Sequence, residues 1–363
     1  MLFIYFMKDI MMKKTKKKIK VIDLFCGIWW LTHWLINEWL PVVAGFDIDW
    51  SCKFWYEHNN HAKFYEQDIK SLKAEQLNEI YWDADIRILV WCAPCQPYSL
   101  MNVKKWNYTW EEIKERSPLD KFANLIDKIK PEIVSMENVP GLASDKKWKF
   151  FEYFLNILDK NWYTYEYKVV NCTDYWIPQT RKRLVLLASR IGEIHLLSPK
   201  WVKKKTVKDA IWNLPHLNNG ESCPTDRYHV CQMLTQKNIK RLELMPKDWW
   251  DLLDIDQIYR PECYKKKSWK WYLNNVYWRM SWNKPAPTMT TFCTWIWNWR
   301  FWHPEQNRAI SVREAARIQT FPDDYEFFPE WEPCNIQKAS KFIWNAVPVK
   351  LGEVIWKSIR NVL

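Results

Sequence analysis

Short apolar runs separated by helix-length segments constrain this chain more than any other feature. Residues 21–25 (Val-Ile-Asp-Leu-Phe) read as a buried strand, and residues 41–46 as a second that ends at Asp47. Further apolar runs at 86–90, 132–136 and 184–188 alternate with helical stretches at 31–38, 121–130 and 150–158. Strand and helix alternating at this spacing predict an α/β fold, a parallel sheet with helices on both faces. From about residue 200 the pattern decays. Residues 201–285 are rich in Lys, Pro, Asn, Trp and Tyr with no sustained period, which predicts a smaller, irregular second domain. Helical character returns at 311–319 and 349–362.

A chain of 363 residues is long enough for two domains, because single cores stop growing at roughly 250–300 residues. It carries 54 Lys plus Arg against 42 Asp plus Glu, a net charge of +12, which suits a polyanionic partner whose phosphates shed counterions on contact. Ten scattered cysteines in a chain of this size need no pairing and fit a reducing cytoplasm. The apolar start, residues 1–7, precedes its lysines, the reverse of a secretory signal. No later run approaches the roughly 18 apolar residues of a membrane span, and residues 1–18 read as a disordered basic tail.

Four stretches carry chemistry. Asp23-Leu24-Phe25-Cys26-Gly27 runs from a strand into a tight turn, and Asp47 follows at the end of the next strand, where an acid can accept hydrogen bonds from ribose hydroxyls. Ala93-Pro94-Cys95-Gln96-Pro97 places a cysteine in a proline-fixed loop at a strand's carboxyl end, suited to a nucleophile. Cys92 and Cys95 also form a Cys-x-x-Cys, but no second pair or paired histidine completes a metal site, so none is expected. Glu137-Asn138-Val139-Pro140 offers a carboxyl that could share a proton with a ring nitrogen. In Gln179-Thr180-Arg181-Lys182-Arg183, strand alternation predicts both guanidinium groups on one face.

In this order the stretches resemble the DNA cytosine-5 methyltransferase family. Gln67-Asp68-Ile69, Arg313-Glu314-Ala315-Ala316-Arg317-Ile318-Gln319 and Asn345-Ala346-Val347-Pro348 extend the match. The resemblance implies a Rossmann-like S-adenosylmethionine-dependent methyltransferase sheet that moves a methyl group to carbon-5 of cytosine in double-stranded DNA. It implies Cys95 as the nucleophile on carbon-6, Glu137 on the ring nitrogen and amine, and Arg181 orienting Glu137 with Arg183 nearby. It also implies that the target base is flipped out of the duplex. For S-adenosylmethionine the resemblance designates Phe25, Gly27, Asp47, Ile48, Asp68, Pro94 and Asn345. The catalytic domain would then be discontinuous, 19–200 plus 336–363, with 201–335 as the target-recognition domain. A cytoplasmic monomer of the restriction–modification type is expected, with duplex DNA as partner and neither membrane nor metal.

Two other functions share these motifs. A tRNA-methylating branch has the same tetrads, and the long, basic, aromatic-rich 201–285 stretch favours duplex DNA over it. A non-enzymatic DNA-binding relic is the third reading, should the tryptophans be genuine. The chain has only six Gly against 28 Trp, where ordinary usage of about 7% would give roughly 25 Gly. Trp29 and Trp30 occupy the cofactor turn, Trp344 stands where the family has Gly before Asn345, and Trp295, Trp297, Trp299 and Trp302 crowd one short loop. Trp162 follows Asn161 at a helix end that ordinarily takes Gly. Most tryptophans are therefore expected to be glycine in the working protein, as when a gene that reads UGA as glycine is translated with UGA as tryptophan. Trp282, beside Pro285 and Pro287, is expected to be genuine.

Overall fold

The computed structural model describes residues 17–27, 40–92, 118–144, 149–199, 203–248, 256–260, 279–290, 294 and 301–363. Residues 1–16 of the expected 1–18 tail, the expected helix at 31–38, Trp29 and Trp30, the loop carrying Pro94 and Cys95, and Trp295, Trp297 and Trp299 lie outside the described residues.

The strands are β1 (Ile19–Leu24), β2 (Val42–Asp47), β3 (Lys63–Glu66), β4 (Ile86–Trp91), β5 (Ile133–Asn138), β6 (Thr164–Asn171), β7 (Gln179–Thr180), β8 (Lys182–Ser189), β9 (Ser222–Cys223), β10 (Asp226–Val230) and β11 (Ala286–Pro287). The helices are α1 (Lys53–Asn60), α2 (Ala74–Tyr81), α3 (Pro118–Ile129), α4 (Phe150–Lys160), α5 (Val207–Ile211), α6 (Gln236–Leu244), α7 (Val312–Ile318), α8 (Ile336–Asn345) and α9 (Val349–Arg360). Seven strands form one sheet in the order β3-β2-β1-β4-β5-β8-β6. Pairing is parallel from β3 through β5, but β8 runs antiparallel to both β5 and β6. The sheet is therefore mixed at one side, a correction to an all-parallel reading. A run of apolar residues such as 184–188 reports burial on two faces and carries no information on strand direction.

Period-two alternation divides the strand side chains between two cores, except in β2, where an irregularity in register with β1 puts Val42 and Ala44 in different ones. Val21, Val42, Ile88, Val90, Ile133, Val185 and Leu187 face one way, and their core also takes in residues of α1, α7, α8 and α9. Ile22, Leu24, Ala44, Phe46, Leu89, Val134, Met136, Leu184 and Leu186 face the other, against α2, α3 and α4. Helices on both faces follow from that division. The last helices thus return to the sheet begun at Ile19. Strand order reverses direction between β1 and β4, so the crevice beyond their carboxyl ends is where a ligand is expected in such a sheet.

The segment after Arg279 is braced by buried charge. Arg308, fully buried, holds Glu314 in a two-pronged pair at 2.7 Å for each bond, and Glu314 also caps α7 with Ser311. Burial alone would raise the Glu314 carboxyl, but Arg308 outweighs it and holds it at about 2. Burial pushes the nearby His303 imidazole down to about 3, leaving it a neutral acceptor for the Glu305 and Gln306 amides.

Backbone conformation bears on the tryptophans. Trp162 and Trp176 both have φ of 60°, a left-handed conformation that costs a side chain about 1–2 kcal/mol and that Gly adopts freely. Buried indole N–H groups of Trp55, Trp91, Trp344 and Trp356 find no acceptor, each a loss of about 1–3 kcal/mol.

Acid should unfold this protein in two overlapping steps. The unfolded chain protonates His303 near 6.5 while the folded chain resists to about 3, so stability drains as pH falls through that range. Glu314 contributes stability that is complete above 4.5 and lost as pH falls toward about 2. Thermal melts across this range should show a steady decline, and His303→Asn should flatten its upper part.

Candidate active site

The turn after β1 is built to present backbone. Phe25 and Gly27 have φ of 60° and 49°, and the Cys26 amide donates to the Phe46 carbonyl at 3.0 Å, tying the turn to β2. Asp47 locks the arrangement: one carboxylate oxygen accepts from the Gly27 amide at 2.8 Å and the other from the Asp49 amide at 2.8 Å. Burial raises the Asp47 carboxyl above its ordinary value, against the pull of those amides. Beside it Ile48 is 66% exposed, an apolar side chain presented to solvent at a strand end. Asp68 is exposed and opens a single 3-10 turn by accepting from the Lys70 amide at 2.9 Å.

Asp49 receives Lys341 of α8 at 3.0 Å. Burial works against its charge, yet hydrogen bonds from Ser51 and Lys341 prevail and lower its carboxyl. A residue of α8 therefore anchors the turn that follows β2.

Glu137, the penultimate residue of β5, is buried between an ion-pair partner and a hydrogen-bond donor. Arg183 Nε stands 2.7 Å from its Oε1, and Cys92 Sγ donates to Oε2 at 2.9 Å. Arg183, rather than Arg181, is the guanidinium against Glu137. Arg181 is engaged elsewhere by its own contacts. That residue lies between β7 and β8, its amide donating to the Gln179 carbonyl at 2.9 Å and its carbonyl accepting from Cys172 at 2.7 Å. Buried Arg181 reaches the carbonyls of Met289 at 3.3 Å and Trp344 at 3.1 Å. Asn345 closes α8, exposed, directly after that bonded carbonyl.

A buried pair of glutamines completes the assembly. Gln179 donates to Gln319 at 2.6 Å and accepts from the Met289 amide at 3.0 Å, while Gln319 donates to the Ala346 carbonyl at 2.6 Å. Sequence reasoning gave these glutamines no role, nor Lys341, nor Cys92 as a donor to Glu137. The signal for Cys92 exists only in the strand register. Trp91 pairs with Met136, which sets the following residues, Cys92 and Glu137, side by side.

A model of C-5 cytosine-specific DNA methylases matches residues 19–361. The chain belongs to that family. As a DNA cytosine-5 methyltransferase it is 42% identical to Type II methylase M.HgiDII of Herpetosiphon aurantiacus, over 94% of this chain and 95% of that one. It is 29% identical to Type II methyltransferase M.Eco47II of Escherichia coli, over 94% of this chain and 79% of that one. Its fold is similar to that of a prophage-encoded DNA modification methyltransferase of E. coli, with a TM-score of 0.71 at 19% identity, covering 95% and 99% of the two chains. The Entamoeba histolytica methyltransferase EhMeth is also similar, with a TM-score of 0.62 at 16% identity. Among the described residues of this cytosine-5 methyltransferase no cluster of His, Cys, Asp and Glu is arranged to hold a metal, and no helix is long and apolar enough to cross a membrane.

The glutamine pair gives a direct test of how the methyltransferase is held together. Gln319→Leu strands the Gln179 amide and the Ala346 carbonyl, each costing about 1–3 kcal/mol, and should lower the melting temperature. Adding Gln179→Leu should cost much less than the sum of the single changes; full additivity in thermal denaturation would show that the pair does not act as a unit.

Proposed function

We propose that this enzyme transfers the methyl group of S-adenosylmethionine to carbon-5 of a cytosine within a specific duplex sequence, as part of a restriction–modification system. The single observation that carries the reading is the placement of Glu137, buried and held at a strand's carboxyl end next to the strand that leads into Cys95. The likeness to Type II enzymes supports the biological setting.

Residues at the carboxyl ends of β1, β2 and β3 suit the cofactor's chemistry. Backbone held close by Phe25 and Gly27 suits its charged amino-acid end, Asp47 its ribose, exposed Ile48 the face of its adenine and Asp68 the adenine amine. The family resemblance adds Pro94 and Asn345 to this set. Bound there, S-adenosylmethionine supplies an electrophilic methyl group.

The protein's own groups do the rest. The target carbon lies inside a stacked duplex, so the base is flipped out at a cost of a few kcal/mol. Cys95 adds through its thiolate to carbon-6, and the electron pair displaced in the ring makes carbon-5 nucleophilic. Glu137, steadied by Arg183, hydrogen-bonds the ring nitrogen and exocyclic amine and limits charge build-up there. After methylation, loss of the carbon-5 proton and departure of Cys95 restore the aromatic ring. Arg181 acts on this site by holding the Met289 and Trp344 carbonyls, and so the segments that carry them.

The catalytic part is 19–200 plus 336–363, and 201–335 selects the sequence, because irregular loops rich in Lys and aromatic side chains suit groove and phosphate contacts. DNA containing 5-fluorocytosine should form a covalent adduct with the parent enzyme and none with Cys95→Ser, which should still bind DNA. An adduct mapping to Cys92 would sink the assignment. Exchanging 201–335 with the matching segment of a related methyltransferase should transfer specificity, read by sequencing methylated cytosines; an active chimera with unchanged specificity would overturn that division.

A further inference from the structure

Cys92 lies outside the mechanism just described, yet its side chain is spent on the mechanism's carboxylate. It is buried, its amide is donated to the Leu24 carbonyl at 3.4 Å, and its thiol donates to Glu137 Oε2 at 2.9 Å. The opposite oxygen of Glu137 faces Arg183 at 2.7 Å. The geometry points to Cys92 as a positioning residue that fixes the rotation of the Glu137 carboxylate, so that one edge is presented to the base. Arg183 alone, a single ion-pair contact at 2.7 Å, would leave the carboxylate free to turn about its last bond; a hydrogen bond to the other oxygen removes that freedom. Burial and the adjoining carboxylate keep Cys92 protonated and hence a donor, which also separates its role from that of a thiolate nucleophile.

This inference rests on Glu137 being the group that engages the base. Single-turnover methylation and DNA affinity should be measured for Cys92→Ala and Cys92→Ser, each in the parent and in Glu137→Ala. Cys92→Ala should slow methyl transfer about ten-fold, the scale of losing one hydrogen bond to a charged group, with DNA affinity unchanged. Cys92→Ser should recover most of the rate, since a hydroxyl donates to the same oxygen. In Glu137→Ala the Cys92→Ala change should cost nothing further. Equal loss in both backgrounds, or no loss in either, overturns the positioning role. A fully active Glu137→Ala overturns the reading of the site itself, and the inference with it. The S–H stretching band of Cys92 should move in Glu137→Ala, where the backbone carbonyl of residue 137, 3.5 Å away, is the acceptor left to the thiol; an unmoved band would show that the carboxylate contact is not made.

A separate observation assigns individual tryptophans. Trp162 follows α4 and Trp176 ends the short turn Cys172–Tyr175, both with φ of 60° at positions that close a helical turn. Trp162 is also 86% exposed, so no packing offsets its strained backbone. Trp344 has a buried indole N–H with no acceptor, and its carbonyl is taken by Arg181. Trp282 is different: half-buried, it packs against the main core and sets its ring against His303 at 5.2 Å. We infer that Trp162, Trp176 and Trp344 are glycine in the protein the source cell makes, and that Trp282 is tryptophan there. The gene should read UGA at the first three positions and UGG at Trp282, and peptide mass spectrometry of the protein from its native cells should show glycine at the three. UGG at any of the three, or UGA at Trp282, overturns the assignment.

Discussion

The active-site end of this molecule depends on one reversal of strand direction. Because β8 runs against β5, the start of β8 lies beside the end of β5, and Arg183 comes to rest against Glu137. Had β8 been parallel, its first residues would lie at the far edge of the sheet and the buried carboxylate would face no cation. An unpaired buried charge is costly enough that such a site would give up its ionisation or its fold. The neighbouring parallel pair, β4 with β5, then brings Cys92 to the other side of the same carboxylate.

A second level of organisation joins parts distant in sequence. Gln179, Met289, Gln319 and Ala346 share one buried chain of hydrogen bonds. Arg181 adds the Trp344 carbonyl, and Lys341 reaches Asp49. Lys341 and the Trp344 carbonyl both belong to α8, so the turn after β2 and the start of β8 are tied to the same C-terminal helix. Buried polar networks of this kind are costly when incomplete and specific when complete.

Much of the fold was legible in the sequence because its interior strands are dense apolar runs. β1, β2, β4 and β5 were placed within a residue or two, since a strand buried on both faces leaves an uninterrupted signal. β3 has only four residues and β6 has mostly exposed and half-exposed side chains, so neither stands out from loop. The direction of β8 is set by long-range pairing that local pattern does not encode. In the site, Glu137 and Asp47 were legible as motif residues at strand ends. The partners of Glu137 were not, because the strand pattern does not distinguish Arg181 from Arg183 and Cys92 acquires its neighbour only through register.

The return of α8 and α9 to the sheet has a consequence for biosynthesis. Every group discussed at the sheet's carboxyl edge up to Arg183 emerges from the ribosome well before Lys341, Trp344 and Ala346 exist. Until those residues are made, Asp49 lacks its lysine, Arg181 lacks one of its carbonyl partners, and the Gln179–Gln319 pair cannot reach its last acceptor. These contacts, which tie the sheet's carboxyl edge to the chain's last helices, therefore form only after the rest of the chain has been made.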